Sequence, residues 1–117
     1  GLSTDAMRPI LAPYFETGIG REVAILASEM VSEASRNPKI AMMQAVALDQ
    51  AKAAIARAVE REQRAGRINC AVSPDCAASM ICLIFDSMTR RLIYTPTPGH
   101  ELLDELLKHF DFILNAR

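Results

Sequence analysis

The chain has 117 residues, of which 50% are hydrophobic, and its formal net charge is −1. That length suits one domain, residues 1–117, with one hydrophobic core. A charge so close to neutral does not favour a nucleic-acid-binding surface on this segment. Only 5% of the residues are aromatic, Trp is absent, and Ala, Leu, Ile and Met dominate the apolar share. This mixture is typical of helices rather than strands.

The three cysteines, Cys70, Cys76 and Cys82, form an odd set without a CxxC pair or a Cys/His cluster. We expect reduced thiols of a cytoplasmic protein, with Cys76 and Cys82 as small core residues and Cys70 exposed in a loop. No apolar run reaches the ~18 residues of a membrane span, and no signal peptide is expected. Because the first residue is Gly1 rather than methionine, we expect a fragment or a processed chain.

The first part of the chain is predicted to be helical but interrupted. Residues 1–19 contain Pro9 and Pro13, which break helical hydrogen bonds, so we expect a kinked or broken helix there. Residues 20–36 are predicted to form the next helix, because their apolar side chains recur at three- and four-residue steps. The resulting stripe comprises Val23, Leu26, Ala27, Met30, Val31 and Ala34.

Each of the three remaining helices is predicted to begin with a capping residue followed by proline. They are predicted over residues 38–65, 74–94 and 98–116, opening at Asn37-Pro38, Ser73-Pro74 and Thr97-Pro98. Gly66 is expected to end the long helix in the left-handed conformation. The apolar face of that helix is rich in alanine and comprises Ile40, Met43, Ala47, Leu48, Ala51, Ala54, Ile55, Ala58 and Val59. No strand is predicted, because no segment alternates with a period of two beside turn residues.

Signatures of enzymes and metal sites are lacking in the sequence. It contains no glycine-rich phosphate loop, GxSxG motif or HExxH motif. His100 and His109 lie nine residues apart on the last helix and so on opposed faces, which makes joint metal binding unexpected. We therefore expect no enzymatic activity, no cofactor and no metal. A small enzyme with convergent polar groups in a cleft stays open as an alternative.

Methionines on several predicted helices suggest an adaptable apolar pocket between them, although ordinary core packing explains any single one as well. The predicted ligand-binding residues are Met7, Leu11, Phe15, Leu26, Met30, Leu48, Ile55 and Phe85.

The last two helices are more apolar than a small monomer requires. The first is apolar almost without a break from Cys76 to Phe85, and the stripe of the second is wider than one neighbour needs. We predict that these two helices from two copies form a four-helix interface. The predicted interface residues are Met80, Ile84, Ser87, Arg91, Leu106, Phe110 and Ile113. The alternative is a monomeric bundle covered by its own first helices.

Four stretches in this order resemble the C-terminal regulatory domain of TetR-family transcriptional regulators: SEMVSEASRNPKI, IARAVEREQRAGRI, SPDCAASMICLIFDSM and ELLDELLKHFDFIL. The resemblance extends from Arg21 to Arg117. It implies an all-α, antiparallel bundle of about five helices that binds a small, often apolar effector between its central helices and forms a homodimer through its last two. It also implies a repressor that contacts operator DNA only through an N-terminal helix-turn-helix domain absent from this chain. A ligand-free helical interaction module is the alternative.

Overall fold

The computed structural model describes residues 3–115, which form helices and the turns between them, with no strand in that range. The elements are a 3-10 turn (Thr4–Met7), α1 (Arg8–Glu16), α2 (Ile19–Ala34), α3 (Pro38–Arg64), α4 (Pro74–Tyr94) and α5 (Gly99–Asn115). The predicted all-α class with about five helices is therefore confirmed. The bounds of α2 to α5 agree with the prediction within two residues. The predicted last helical residue, Ala116, lies outside the described residues.

The first segment is interrupted, as predicted, but the change in geometry comes before α1 rather than at Pro13. The 3-10 turn leads directly into α1, and Pro9 occupies one of its first two positions, where a missing N–H costs little. Pro13 lies inside α1. Gly18 then adopts a φ of 84°, a left-handed conformation that redirects the chain into α2.

The predicted helix starts of α3 and α4 are confirmed by their caps. The backbone N–H groups of Lys39 and Ile40 donate to Asn37 Oδ1 at 3.1 and 3.4 Å. The N–H of Cys76 donates to the Ser73 hydroxyl at 3.2 Å. These side chains accept hydrogen bonds from N–H groups of the first helical turn, which have no carbonyl partner within the helix. Gly66, with a φ of 75°, follows α3 as predicted.

The core is centred on α5, whose stripe is buried almost completely within one chain. Leu102, Leu103 and Leu106 are 0% exposed. Phe15 from α1 and Met88 from α4 pack against this stripe from different parts of the sequence. The N-terminal segment is also tied to α5 through polar contacts, because the Thr4 hydroxyl donates to the Leu107 carbonyl at 3.4 Å.

This arrangement corrects the predicted role of three residues on α5. Leu106, Phe110 and Ile113 were predicted to contact a second subunit, but they are buried inside the chain. The stripe of α5 is wide because it has two neighbours within the same chain. One is α4, and the other is the N-terminal segment formed by the 3-10 turn and α1.

The apolar stripe of α2 faces largely outward. Val23, Leu26 and Val31 are 44%, 58% and 50% exposed, whereas the buried residues of α2 are Gly20 and Ala24. A Cβ atom at Gly20 would overlap the backbone of Tyr14, so this small-residue side is the one that α1 approaches closely. The first half of α3 also exposes Met42, Met43 and Val46. Apolar side chains exposed in such numbers are typical of an interaction surface.

Candidate ligand cavity and association surface

An apolar cavity lies where the 3-10 turn, α3, α4 and α5 meet. Its volume is about 410 Å³, and pockets for small ligands usually fall between ~300 and ~1,000 Å³. The lining residues are Met7, Ile55, Ala58, Val59, Glu62, Ile68, Ile81, Phe110 and Leu114. Two of them, Met7 and Ile55, belong to the predicted ligand-binding set.

One end of the cavity is formed by the loop between α3 and α4, which buries Ile68. Hydrogen bonds to α3 and to α5 hold this loop in place. The side-chain amide of Gln63 donates to the carbonyls of Asn69 and Val72 at 3.2 and 2.8 Å. The N–H of Asn69 donates to the carbonyl of Leu114 on α5 at 3.3 Å. The loop therefore spans α3 and α5 and holds Ile68 against the cavity.

Among residues 3–115, Glu62 is the only ionisable residue that lines this cavity, and its carboxylate is paired with Arg67. Arg67 donates to both Glu62 carboxylate oxygens, at 2.5 and 3.0 Å. The hydrogen bond from Arg67 lowers the pKa of Glu62, so the carboxylate stays ionised and matched by the guanidinium. The rest of the lining is apolar. An uncharged, apolar ligand suits these walls better than a charged one.

The eight predicted ligand-binding residues do not share one cavity. Phe15 is buried in the core, with its ring centroid 6.4 Å from that of Phe85 in an edge-on contact. Leu11 packs against the same cluster. Leu48 lines a separate cleft between α2, α3 and α4.

The two predicted ligand residues on α2 do not line the apolar cavity. Leu26 is exposed and Met30 is half-buried. The prediction also omitted several residues that do line it. Ala58 and Val59 were recognised only as part of an apolar face, whereas Ile68 lies in a loop without helical periodicity, so no sequence signal indicated it.

The remaining predicted interface residues lie on α4, where Met80 and Ile84 are half-buried against the core, Arg91 is half-buried and Ser87 is exposed. Met80, Ile84, Ser87 and Arg91 recur along α4 at three- and four-residue steps, so they share a side of that helix. Arg91 forms an ion pair of 2.7 Å with Glu105 of α5. Phe112 follows Glu105 by seven residues, which places it on the same side of α5, and it is 74% exposed. We call these six residues the α4–α5 face.

Phe112 was not among the predicted interface residues. It lies two positions after the buried Phe110 and therefore on a different side of α5. An aromatic residue outside the main apolar stripe was the available sequence signal.

The cysteines are more exposed than predicted. Cys70 is exposed as predicted, but Cys76 is also exposed, which corrects its expected place in the core. The Cys76 position lies on the side of α4 away from buried Ala77 and Ala78. Across residues 3–115, no group of three or more His, Cys, Asp or Glu side chains could hold a metal ion. Within residues 3–115, none of the helices combines the length and the hydropathy that a membrane span requires.

Comparison with known proteins gives no relative: no family model, no curated protein and no solved structure matches the chain. The class of protein is therefore defined by the fold and the site alone. It is an all-α domain with an apolar cavity beside α5 and exposed apolar side chains on α2, α3 and α5.

Proposed function

We propose that this chain is the regulatory domain of a TetR-like transcriptional repressor. In this proposal it binds a small apolar effector in the cavity and forms a homodimer through the α4–α5 face. The principal support is the cavity itself, which combines apolar walls from several elements with a carboxylate already neutralised by Arg67. The protein acts in the cytoplasm, and a separate helix-turn-helix domain contacts operator DNA.

The cavity and the α4–α5 face share two helices, which provides a route for regulation. On α4, Ile81 lines the cavity and Ile84 lies on the face; on α5, Phe110 lines the cavity and Phe112 lies on the face. An effector that moves Ile81 or Phe110 would therefore also move residues of the face. The effector can shift the equilibrium between two dimer geometries only to the extent that it binds one of them more tightly than the other.

Filling the cavity should block the binding of a neutral apolar probe. The change is Ala58→Phe, because Ala58 lines the cavity and a phenyl ring would occupy its volume. We expect at least a tenfold loss of affinity for 1-N-phenylnaphthylamine, about 1.4 kcal/mol, measured by fluorescence titration. Ala54→Phe, at an exposed position one turn earlier on α3, is the matched control and should bind the probe normally. Equal loss or equal retention in both variants would contradict an effector site in this cavity.

A charge at Phe112 should disrupt the proposed dimer without unfolding the chain. We expect Phe112→Glu to weaken dimerisation at least tenfold, because a carboxylate buried in an apolar contact lacks a partner. Light scattering coupled to size-exclusion chromatography measures the mass, and thermal melting checks the fold. Ile10→Glu is the matched control, since Ile10 on α1 is 77% exposed and lies outside the face. A dimer lost in the control but retained in Phe112→Glu would place the interface elsewhere.

A second candidate function is a ligand-free helical interaction module. The exposed apolar residues Val23 and Leu26 on α2, with Met42 and Met43 on α3, favour it because they offer a broad contact surface. The two functions differ in the probe experiment. A wild-type chain that dimerises but binds no neutral apolar probe supports the interaction module.

A further inference from the structure

A second cleft, separate from the apolar cavity, lies between α2, α3 and α4. Its volume is about 440 Å³, which is again within the ~300 to ~1,000 Å³ of small-ligand sites. Only one side of each of these helices faces it. The cleft combines aliphatic side chains with Lys52, Asp86 and Arg90, whereas the lining of the apolar cavity includes Glu62 as its charged residue.

The aliphatic part of the cleft comes from all three helices and is incompletely covered. Val31 of α2, Leu48 of α3 and Leu83 of α4 all line the cleft. They are 50%, 51% and 69% exposed. Contact with water on three converging apolar side chains is unfavourable, so a ligand with an apolar body would be stabilised there.

The charged part of the cleft leaves one positive charge without a partner. Asp86 and Arg90 neutralise each other through an ion pair of 3.3 Å. Lys52, which is half-buried, forms no ion pair or hydrogen bond with any side chain in residues 3–115. Asp49 and Asp75 lie with Lys52 around an adjoining depression, but neither forms an ion pair with it. Lys52 is therefore available to an anion in the cleft.

We infer that this cleft binds an amphipathic monoanion. Its aliphatic body contacts Val31, Leu48 and Leu83, and its carboxylate accepts a charge-assisted hydrogen bond from the Lys52 ammonium. An anion of this kind is disfavoured in the apolar cavity, where the one ionisable side chain is the carboxylate of Glu62. The cleft is thus a second site with a different ligand class, and it does not depend on the proposed effector site or on dimerisation.

Calorimetric titration with octanoate and with 1-octanol tests this site directly. The two probes share an alkyl chain and differ in charge. We expect the wild-type chain to bind octanoate at least tenfold more tightly than octanol. Lys52→Met should weaken octanoate binding at least tenfold and leave octanol binding unchanged, whereas Lys52→Arg should retain octanoate affinity within about threefold, because the charge remains. Lys39→Met, at an exposed position near the start of α3, is the matched control.

Two results would overturn the inference. Equal affinities of octanoate and octanol, unaffected by Lys52→Met, would mean that Asp49 and Asp75 already neutralise Lys52. Loss of octanoate binding in Ala58→Phe but not in Lys52→Met would place the anion in the apolar cavity. Circular dichroism of each variant confirms that the helices are intact, so that loss of binding reports on the cleft.

Discussion

Replacing Leu106 with alanine is expected to lower the free energy of unfolding by about 2–5 kcal/mol. Leu106 is 0% exposed and belongs to the same cluster as Phe15 and Met88. Truncation removes buried methyl groups and leaves a void that rigid neighbouring helices fill only in part. Urea denaturation followed by circular dichroism, at two protein concentrations, measures the loss and separates it from any contribution of dimerisation.

The matched control is Leu83→Ala. Leu83 is 69% exposed on α4, so its truncation should change stability by less than about 0.5 kcal/mol. The comparison distinguishes a core residue from an interface residue. If Leu106→Ala left the unfolding of the monomer unchanged and only dissociated the dimer, Leu106 would lie between subunits. It would then not belong to a core formed within one chain.

Replacing Gly99 with alanine should also destabilise the fold, by about 1–3 kcal/mol. A Cβ atom at Gly99 would overlap the backbone carbonyl of Phe15, so α1 and the start of α5 would have to separate. Intrinsic helix propensity acts in the opposite direction and favours alanine by up to ~1 kcal/mol. A loss of stability therefore means that the steric overlap outweighs propensity.

Thermal melting gives the overall effect of Gly99→Ala, and amide hydrogen exchange shows whether protection is lost first in α1. His100→Ala is the control, because His100 is exposed and directly follows Gly99. It should melt like the wild-type chain. A Gly99→Ala variant that melts at or above the wild-type temperature would show that α1 does not pack closely on α5.

The helices themselves were predictable because their signals are local. Asn37 and Ser73 each precede a proline. Their side chains accept hydrogen bonds from backbone N–H groups two or three residues later in the chain. The leucine stripe of α5 is similarly visible as a three- and four-residue repeat, and it is buried in the structure. Such features depend on neighbours in sequence, so one sequence suffices to identify them.

Which helix covers which face was not predictable from the same signals. Periodicity shows that α2 has an apolar stripe, but the close approach of Tyr14 to Gly20 turns its small-residue side inward. Likewise, the width of the α5 stripe indicates two neighbours without identifying them. The second neighbour is the N-terminal segment, which lies far from α5 in sequence, and not a second subunit.

The lining of the apolar cavity was likewise predictable only where the signal is local in sequence. Ile55 was identified because it lies on an apolar helical face, and Met7 because methionine suits adaptable pockets. Their meeting depends on the 3-10 turn lying near α3, and the contribution of Ile68 depends on the hydrogen bonds that fix its loop. These are contacts between distant parts of the chain, which spacing alone does not encode.

Sedimentation equilibrium of the wild-type chain at micromolar concentration is the most direct test of the proposed regulatory dimer. We expect a mass of about twice the 12.8 kDa of one chain, with Phe112→Glu reduced to the single-chain mass and Ile10→Glu unchanged. A wild-type chain that sediments at 12.8 kDa throughout this range would contradict dimerisation through the α4–α5 face, and with it the proposed coupling between effector and partner.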